Sequence, residues 1–228
     1  VVNPERWQAR YVDDYTSTQY RKSTAHQTTL ASMAAWLRMG ELEMQKLPLA
    51  EYNKETFKKA LQEVKTLVQN HPVDFAVQLQ QKCAEAGVAV IYTVCLPNAP
   101  VSGATRWFRD NPLIQMTDRH KTNDHFWFTF YHEAGHVLLH GKKDVFIEDY
   151  AGGVLNEEKE EEANQFAMKW LLPEKAIEEL PVDLDDQDIV GLAAQYKTHP
   201  AIVVGRLQRM GILKYSQMNK HKAPVHLF

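Results

Sequence analysis

His132, Glu133 and His136 lie in a five-residue run, His132-Glu133-Ala134-Gly135-His136, whose spacing has a chemical meaning if the segment is helical. Histidines four residues apart sit about 40° from one another around a helix and one turn apart along it, so both imidazoles can reach a single tetrahedral divalent ion such as Zn²⁺. Glu133 lies about 100° round from His132, too far to be a third ligand from the same helix. It can still lean over a water on that ion, which is the geometry of a general base in metal-assisted hydrolysis. Gly135 removes a side chain on the ligand side and lets something pack close. The competing reading is a pair of core histidines satisfied by backbone groups. Two histidines and a glutamate in an otherwise apolar helix are costly without such compensation.

A zinc site of this kind needs a third protein ligand and an open fourth position. His140 continues the four-residue spacing but lies about 12 Å along the axis from His132, beyond a metal held between the turns of His132 and His136. It reads as a helix-end histidine. The acidic segment from Glu157 to Glu162 is the better source. Ala163, Phe166, Ala167, Trp170 and Leu171 mark its core-facing stripe. Measured from Ala163 at about 100° per residue, Glu160 falls within that stripe, Glu161 near the opposite face and Glu162 about 100° to the other side. Glu160 is therefore the expected ligand. Asn164, one turn further on the same side, is placed to hydrogen-bond a ligand's outer atoms. The remaining acids, Glu157, Glu158, Glu161 and Glu162, read as a solvated helix start.

The text from Phe130 to His140, followed by Glu160-Glu-Glu-Ala-Asn-Gln-Phe-Ala167 and Leu171-Leu-Pro173, resembles the ImmA/IrrE family of metallopeptidases. The resemblance covers roughly residues 85 to 175. It implies His132, His136 and Glu160 as zinc ligands, Glu133 as the catalytic carboxylate, and a gluzincin-like arrangement supported by Asn164. The stretches Ala34 to Glu41 and Thr198 to Gln208 are similar to family members attached to a repressor-type (XRE) helix-turn-helix, although no such module is visible at the start of this chain. The family's habits imply a protein substrate, a repressor or antitoxin-like regulator, in stress or mobile-element control.

The elements that must position these groups give a mostly helical α+β chain with a small sheet against the helix of the histidines, a zincin-like core. Helical patterns run over 5–45, interrupted by a polar stretch ending at Thr29, and over 55–68 and 72–86. Val88 to Val94, Gly103 to Phe108 and Leu113 to Thr117 read as strands. Asp124 is expected to cap a helix running to His140, with Gly141 as a left-handed stop. Further helices are expected from Asn156 to Leu172 and over 173–180, 186–197 and 200–210. Three regions follow: a helical N-terminal region (1–85), the metallopeptidase core (86–180), and a C-terminal helical region with a basic tail (181–228).

Composition narrows the classes. The 228 residues are 44% hydrophobic and 24% charged, which excludes fibrous and wholly disordered readings. The longest apolar run, Val88 to Leu96, is too short for a membrane helix, and no export leader opens the chain. The first residue is Val1 rather than Met, as in an excised or processed chain. Cys83 and Cys95 lack a metal or disulfide framework, so a cytoplasmic compartment is expected. Residues 148–188 carry a net charge of −11 within an overall −3, which argues against a uniformly basic nucleic-acid binder.

Two mechanistic expectations complete the reading. The strand Leu113 to Thr117 would serve as an edge for an extended substrate, and Tyr131, Tyr196 or His199 could stabilise an oxyanion. The rivals are a DNA-binding regulator, using the helix pair from Ile189 to Leu207 with Arg206 and Arg209, and a metal-stabilised interaction module without turnover.

Overall fold

The computed structural model describes residues 24–97, 101–119, 122–142, 146–147, 157–181 and 183–228. The part of the first expected helix before Thr24 lies outside them. Helix α1 spans Thr24–Met44, α2 Lys54–Asn70 and α3 Phe75–Glu85. The stripe on α2 is buried at every apolar position expected, Phe57, Ala60, Leu61, Val64, Leu67 and Val68, and Asn53 caps the helix by accepting from the Thr56 amide. After α3 the chain turns at Gly87, whose φ of +78° suits glycine.

Among the described residues four strands follow: β1 (Ala89–Tyr92), β2 (Gly103–Phe108), β3 (Asn111–Met116) and a two-residue β4 (Phe146–Ile147). They form one sheet in the order β1-β3-β2-β4, with β1 parallel to β3 and the other pairs antiparallel. The expected edge is therefore corrected. β3 is central, paired on both sides, and offers no free edge to a substrate. Pro112 also lies inside β3 rather than before it. The ladder to β1 begins only at Leu113, so Pro112 stands where one flank of the strand is still unpaired.

Alternation along the strands builds layers on both faces of the sheet. Val88, Val90, Ile114 and Met116 join the main core. Ala89, Ile91 and Leu113 pack with Met44, while Ala104 packs with Met33, Trp36 and Leu37, so α1 covers the opposite face. That face also holds a buried polar network. The Arg106 guanidinium donates to Gln115 Oε1 at 2.8 Å and to the Leu37 carbonyl, and Gln115 Nε2 donates to the Trp36 carbonyl at 2.7 Å. Glu41, 3.8 Å from Arg106 Nε and 2.8 Å from Arg38, supplies the countercharge. Gly40 makes room for the amide, since a Cβ there would stand 2.0 Å from Gln115 Oε1. The Ala34 to Glu41 stretch thus seats α1 on the sheet.

Helix α4 (Asn123–Leu139) lies against the other face, followed by α5 (Glu157–Leu171), α6 (Glu174–Glu178), α7 (Asp186–Gln195) and α8 (Pro200–Arg209). α4 is buried on nearly all sides, as its Phe126, Trp127, Phe130, Val137 and Leu138 require. Its expected cap is corrected. Thr122 is the N-cap, and Asp124 lies inside the first turn, where it meets the positive helix end and pairs with Lys222 at 2.6 Å. The far end is corrected too. His140 leaves the helix in an extended conformation, and Gly141 is not a left-handed stop. The C-terminal segment fastens the start of α4: the Asn123 amide donates to the Ala223 carbonyl at 3.0 Å, the Ala223 amide donates to Asn123 Oδ1 at 3.0 Å, and Thr122 bridges Pro224. The main core runs from Phe57 to Val225, through all three regions expected from sequence. Among the described residues no helix is long and apolar enough to cross a membrane.

Candidate metal centre

α5 packs along α4 because both present small residues at the crossing. A Cβ on Gly135 would lie 3.2 Å from the Ala163 Cα and 3.3 Å from the Phe166 Cβ, so glycine sets the approach. That approach brings Glu160 to the histidine pair. The two Nε2 atoms of His132 and His136 are 3.0 Å apart, with Glu160 Oε2 at 3.1 Å from the first and Oε1 at 3.5 Å from the second. Ligands about 2.05 Å from a tetrahedral ion stand about 3.3 Å apart, which these separations bracket. The donor set, two imidazoles and a carboxylate, suits zinc. Of the groups expected from sequence, the structure brings together His132, His136 and Glu160, with Asn164 behind them.

The outer ring atoms settle which nitrogens face inward. Asn164 Oδ1 lies 3.0 Å from His132 Nδ1 and can only accept, so that nitrogen carries the proton and Nε2 presents a lone pair. His136 Nδ1 lies 2.9 Å from His140 Nδ1, and His140 Nε2 lies 2.9 Å from Glu162 Oε2. The consistent assignment has His136 donating to His140 and His140 donating to the carboxylate. Two lone pairs and a carboxylate then converge on one point, an arrangement that a cation relieves. Burial drives the His136 pKa down to about 4 despite the opposing pull of Glu160, which keeps the ring neutral as a ligand must be. Burial alone would raise Glu160, but the flanking His132 and His136 rings outweigh that and hold the carboxyl at about 2, so it stays an anion.

His140 and Glu162 are the residues that sequence reasoning missed. His140 stands outside the His132–His136–Glu160 cluster but joins its outer side, and Glu162, solvated as expected, also accepts from the His140 ring. The signal available was the further four-residue step from His136, which puts His140 on the same face of the turn.

Glu133 is fully buried on the opposite flank of the histidines, against β2. The Thr105 hydroxyl donates to its carbonyl at 3.1 Å. Gly103 leaves space for the carboxylate, since a Cβ there would lie 2.7 Å from Glu133 Oε1. The three expected oxyanion donors have other employment. Tyr131 donates to the Leu61 carbonyl at 2.9 Å, Tyr196 donates to Glu179 at 2.7 Å, and His199 caps α8 by accepting from the Ala201 amide. In the helix pair offered as a DNA reader, α8 buries Ala201, Ile202, Val203, Val204 and Leu207. Arg206 sits half-buried beside Glu174, and the Arg209 guanidinium lies 5.0 Å over the Phe128 ring.

A search of the curated proteins finds no match to the chain. A family model does match: residues 83–208, more than half of the chain, fit the peptidase M78 family, described as the IrrE N-terminal-like domain. The match spans β1 through α8 and so includes the histidine helix, the Glu160 helix and the pair α7–α8. The chain belongs to the M78 (IrrE N-terminal-like) family of metallopeptidase type.

Proposed function

We propose that this protein is a zinc-dependent endopeptidase that cuts a protein substrate, a repressor or antitoxin-like regulator, in stress or mobile-element control in the cytoplasm. The observation that carries the reading is the convergence of His132, His136 and Glu160 within 4.8 Å, with the buried carboxylate of Glu133 one residue along α4. His132, His136 and Glu160 would hold the metal, and Asn164 and the His140–Glu162 pair would orient the imidazoles. Zinc, when bound, supplies Lewis-acid polarisation of a carbonyl and of a water.

Glu133 takes a proton from the attacking water and returns it to the leaving amine. Gly103 and Thr129 wall one side of it. An extended substrate would add along β4, the outer strand among the described residues, because β4 flanks β2 and β2 is the strand that borders Glu133. The test is Glu133→Gln. The variant should keep one zinc per chain and lose hydrolysis of a cognate regulator by about 10² to 10⁴-fold. Undiminished cleavage would remove Glu133 as base.

A further inference from the structure

A cavity of about 240 Å³ opens between the first turns of α4, the end of α5, α8 and the C-terminal segment. Pockets that take whole drug-sized ligands run from about 300 to 1,000 Å³, so this one suits a single large side chain. Phe128, Met168, Leu171 and Ile202 give it apolar walls. Two facts tie it to the metal centre. Measured from His132 at about 100° per residue, His136 falls at about +40°, His125 at about +20° and Phe128 at about −40°, so one sector of α4 carries the ligands and the cavity wall. The Phe128 ring stands 6.3 Å, centroid to centroid, from the His132 ring.

The charges select among side chains. Arg206, Arg209 and Lys222 line the cavity against one acid, Asp124, which Lys222 already neutralises. Among the lining residues the excess is positive, Glu174 facing Arg206 from outside the cavity, and it disfavours Lys or Arg, while the walls reward burial of apolar surface. We infer that this cavity is the specificity pocket of the peptidase, receiving a large uncharged apolar side chain (Phe, Leu or Met class) from the residue beside the scissile bond. The inference rests on the peptidase reading above and deepens it.

The test uses the full zinc-loaded chain and a peptide mixture prepared from a digested proteome, with the cut bonds identified by mass spectrometry. Large apolar residues should be favoured over Ala on one side of the bond by about tenfold or more, with Lys and Arg depleted. Met168→Trp, which fills the cavity, should lower that ratio by about tenfold at unchanged zinc content. Arg206→Glu, a change at a half-buried site, should admit Lys and Arg. Peptide hydroxamates bearing benzyl or methyl groups give a readout without turnover: the benzyl compound should bind at least about tenfold tighter, and Met168→Trp should erase the difference. Absence of any cleavage by the wild type overturns the peptidase reading itself. Cleavage whose side-chain preference, like the hydroxamate ratio, is the same in wild type and both variants overturns the pocket alone.

Discussion

Replacing Glu162 by Ala should weaken zinc binding although Glu162 never touches the metal position. Its carboxylate accepts from His140 Nε2 at 2.9 Å, and His140 Nδ1 accepts from His136 at 2.9 Å, so the negative charge sits two hydrogen bonds and two rings from the ion. At roughly 9 Å and an effective dielectric near 60, a charge of −1 stabilises a divalent ion by about 1.2 kcal/mol, a factor of about 8. Losing the acceptor also frees the His140 ring and with it the orientation of His136. Changes to such outer partners typically cost about 10 to 100-fold. The Glu162 side chain is 55% exposed, which puts the expectation near the lower end, about 10 to 30-fold. Glu162→Gln keeps an acceptor and should lose only the charge contribution. Glu160→Ala removes a direct donor. If about 12 kcal/mol is shared among four ligands, that loss is about 3 kcal/mol, more than a hundredfold. Glu161→Ala, at a position whose side chain accepts from Gln165 across an exposed turn, is the control and should stay within about twofold. Competition titration of the metal-free protein with a chromogenic zinc chelator orders the four variants. Glu162→Ala behaving like Glu161→Ala would refute the relay, and Glu160→Ala with wild-type affinity would refute the ligand set.

Gly103→Ala should leave zinc stoichiometry intact and lower hydrolysis, because the new Cβ would stand 2.7 Å from Glu133 Oε1 and 2.8 Å from the Thr129 methyl, pushing the base aside at a stability cost of about 1 to 3 kcal/mol. Parallel metal and rate measurements check it, and full activity would mean that Glu133 is not held by this wall. Acid should destabilise the fold through His71, which burial and the nearby His199 hold down to about 4, below the ordinary histidine value of 6.5. The unfolded chain then binds the proton first, so the stabilisation is complete above about pH 6.5 and is lost as pH falls toward 4. The Trp127 indole donates to His71 Nδ1 at 3.2 Å and needs that nitrogen bare, which gives the protonation penalty a structural cause. His71→Asn tolerates the left-handed φ of +40° there and should flatten the fall of Tm between pH 8 and 5 relative to wild type. An equally steep profile in the variant would assign the acid sensitivity elsewhere.

What could be read along the chain was what repeats along the chain. The stripe of α2, the near-complete apolar girdle of α4 and the strand from Gly103 to Phe108 follow from periods of 3.6 and 2, which local sequence carries in full. Glu160 was accessible for the same reason. Once Ala163 and Ala167 define the buried side of α5, the angle of each acid follows, and the structure does bring Glu160 to the histidines. Strand order is different in kind. Nothing inside Leu113 to Thr117 records that β1 runs parallel to it on one side and β2 antiparallel on the other, so an apolar strand near the histidine helix read equally well as an edge.

The remaining misses share a cause that reaches into the site's chemistry. The Glu162–His140 contact, Gly103 against Glu133 and the Asp124–Lys222 pair each join residues 22 or more apart, and no local pattern reports a partner that distant. Such groups cluster around the metal centre for a physical reason. A helix spacing can supply two ligands, but their lone pairs face inward only if the outer nitrogens are held, and those holders come from other elements. Here Asn164 holds one imidazole and the His140–Glu162 pair the other, both resting on α5. The helix that donates Glu160 therefore also fixes the direction of both histidines. A change that slides α5 along α4, such as enlarging Gly135 against Ala163, should disturb all three ligands together rather than one.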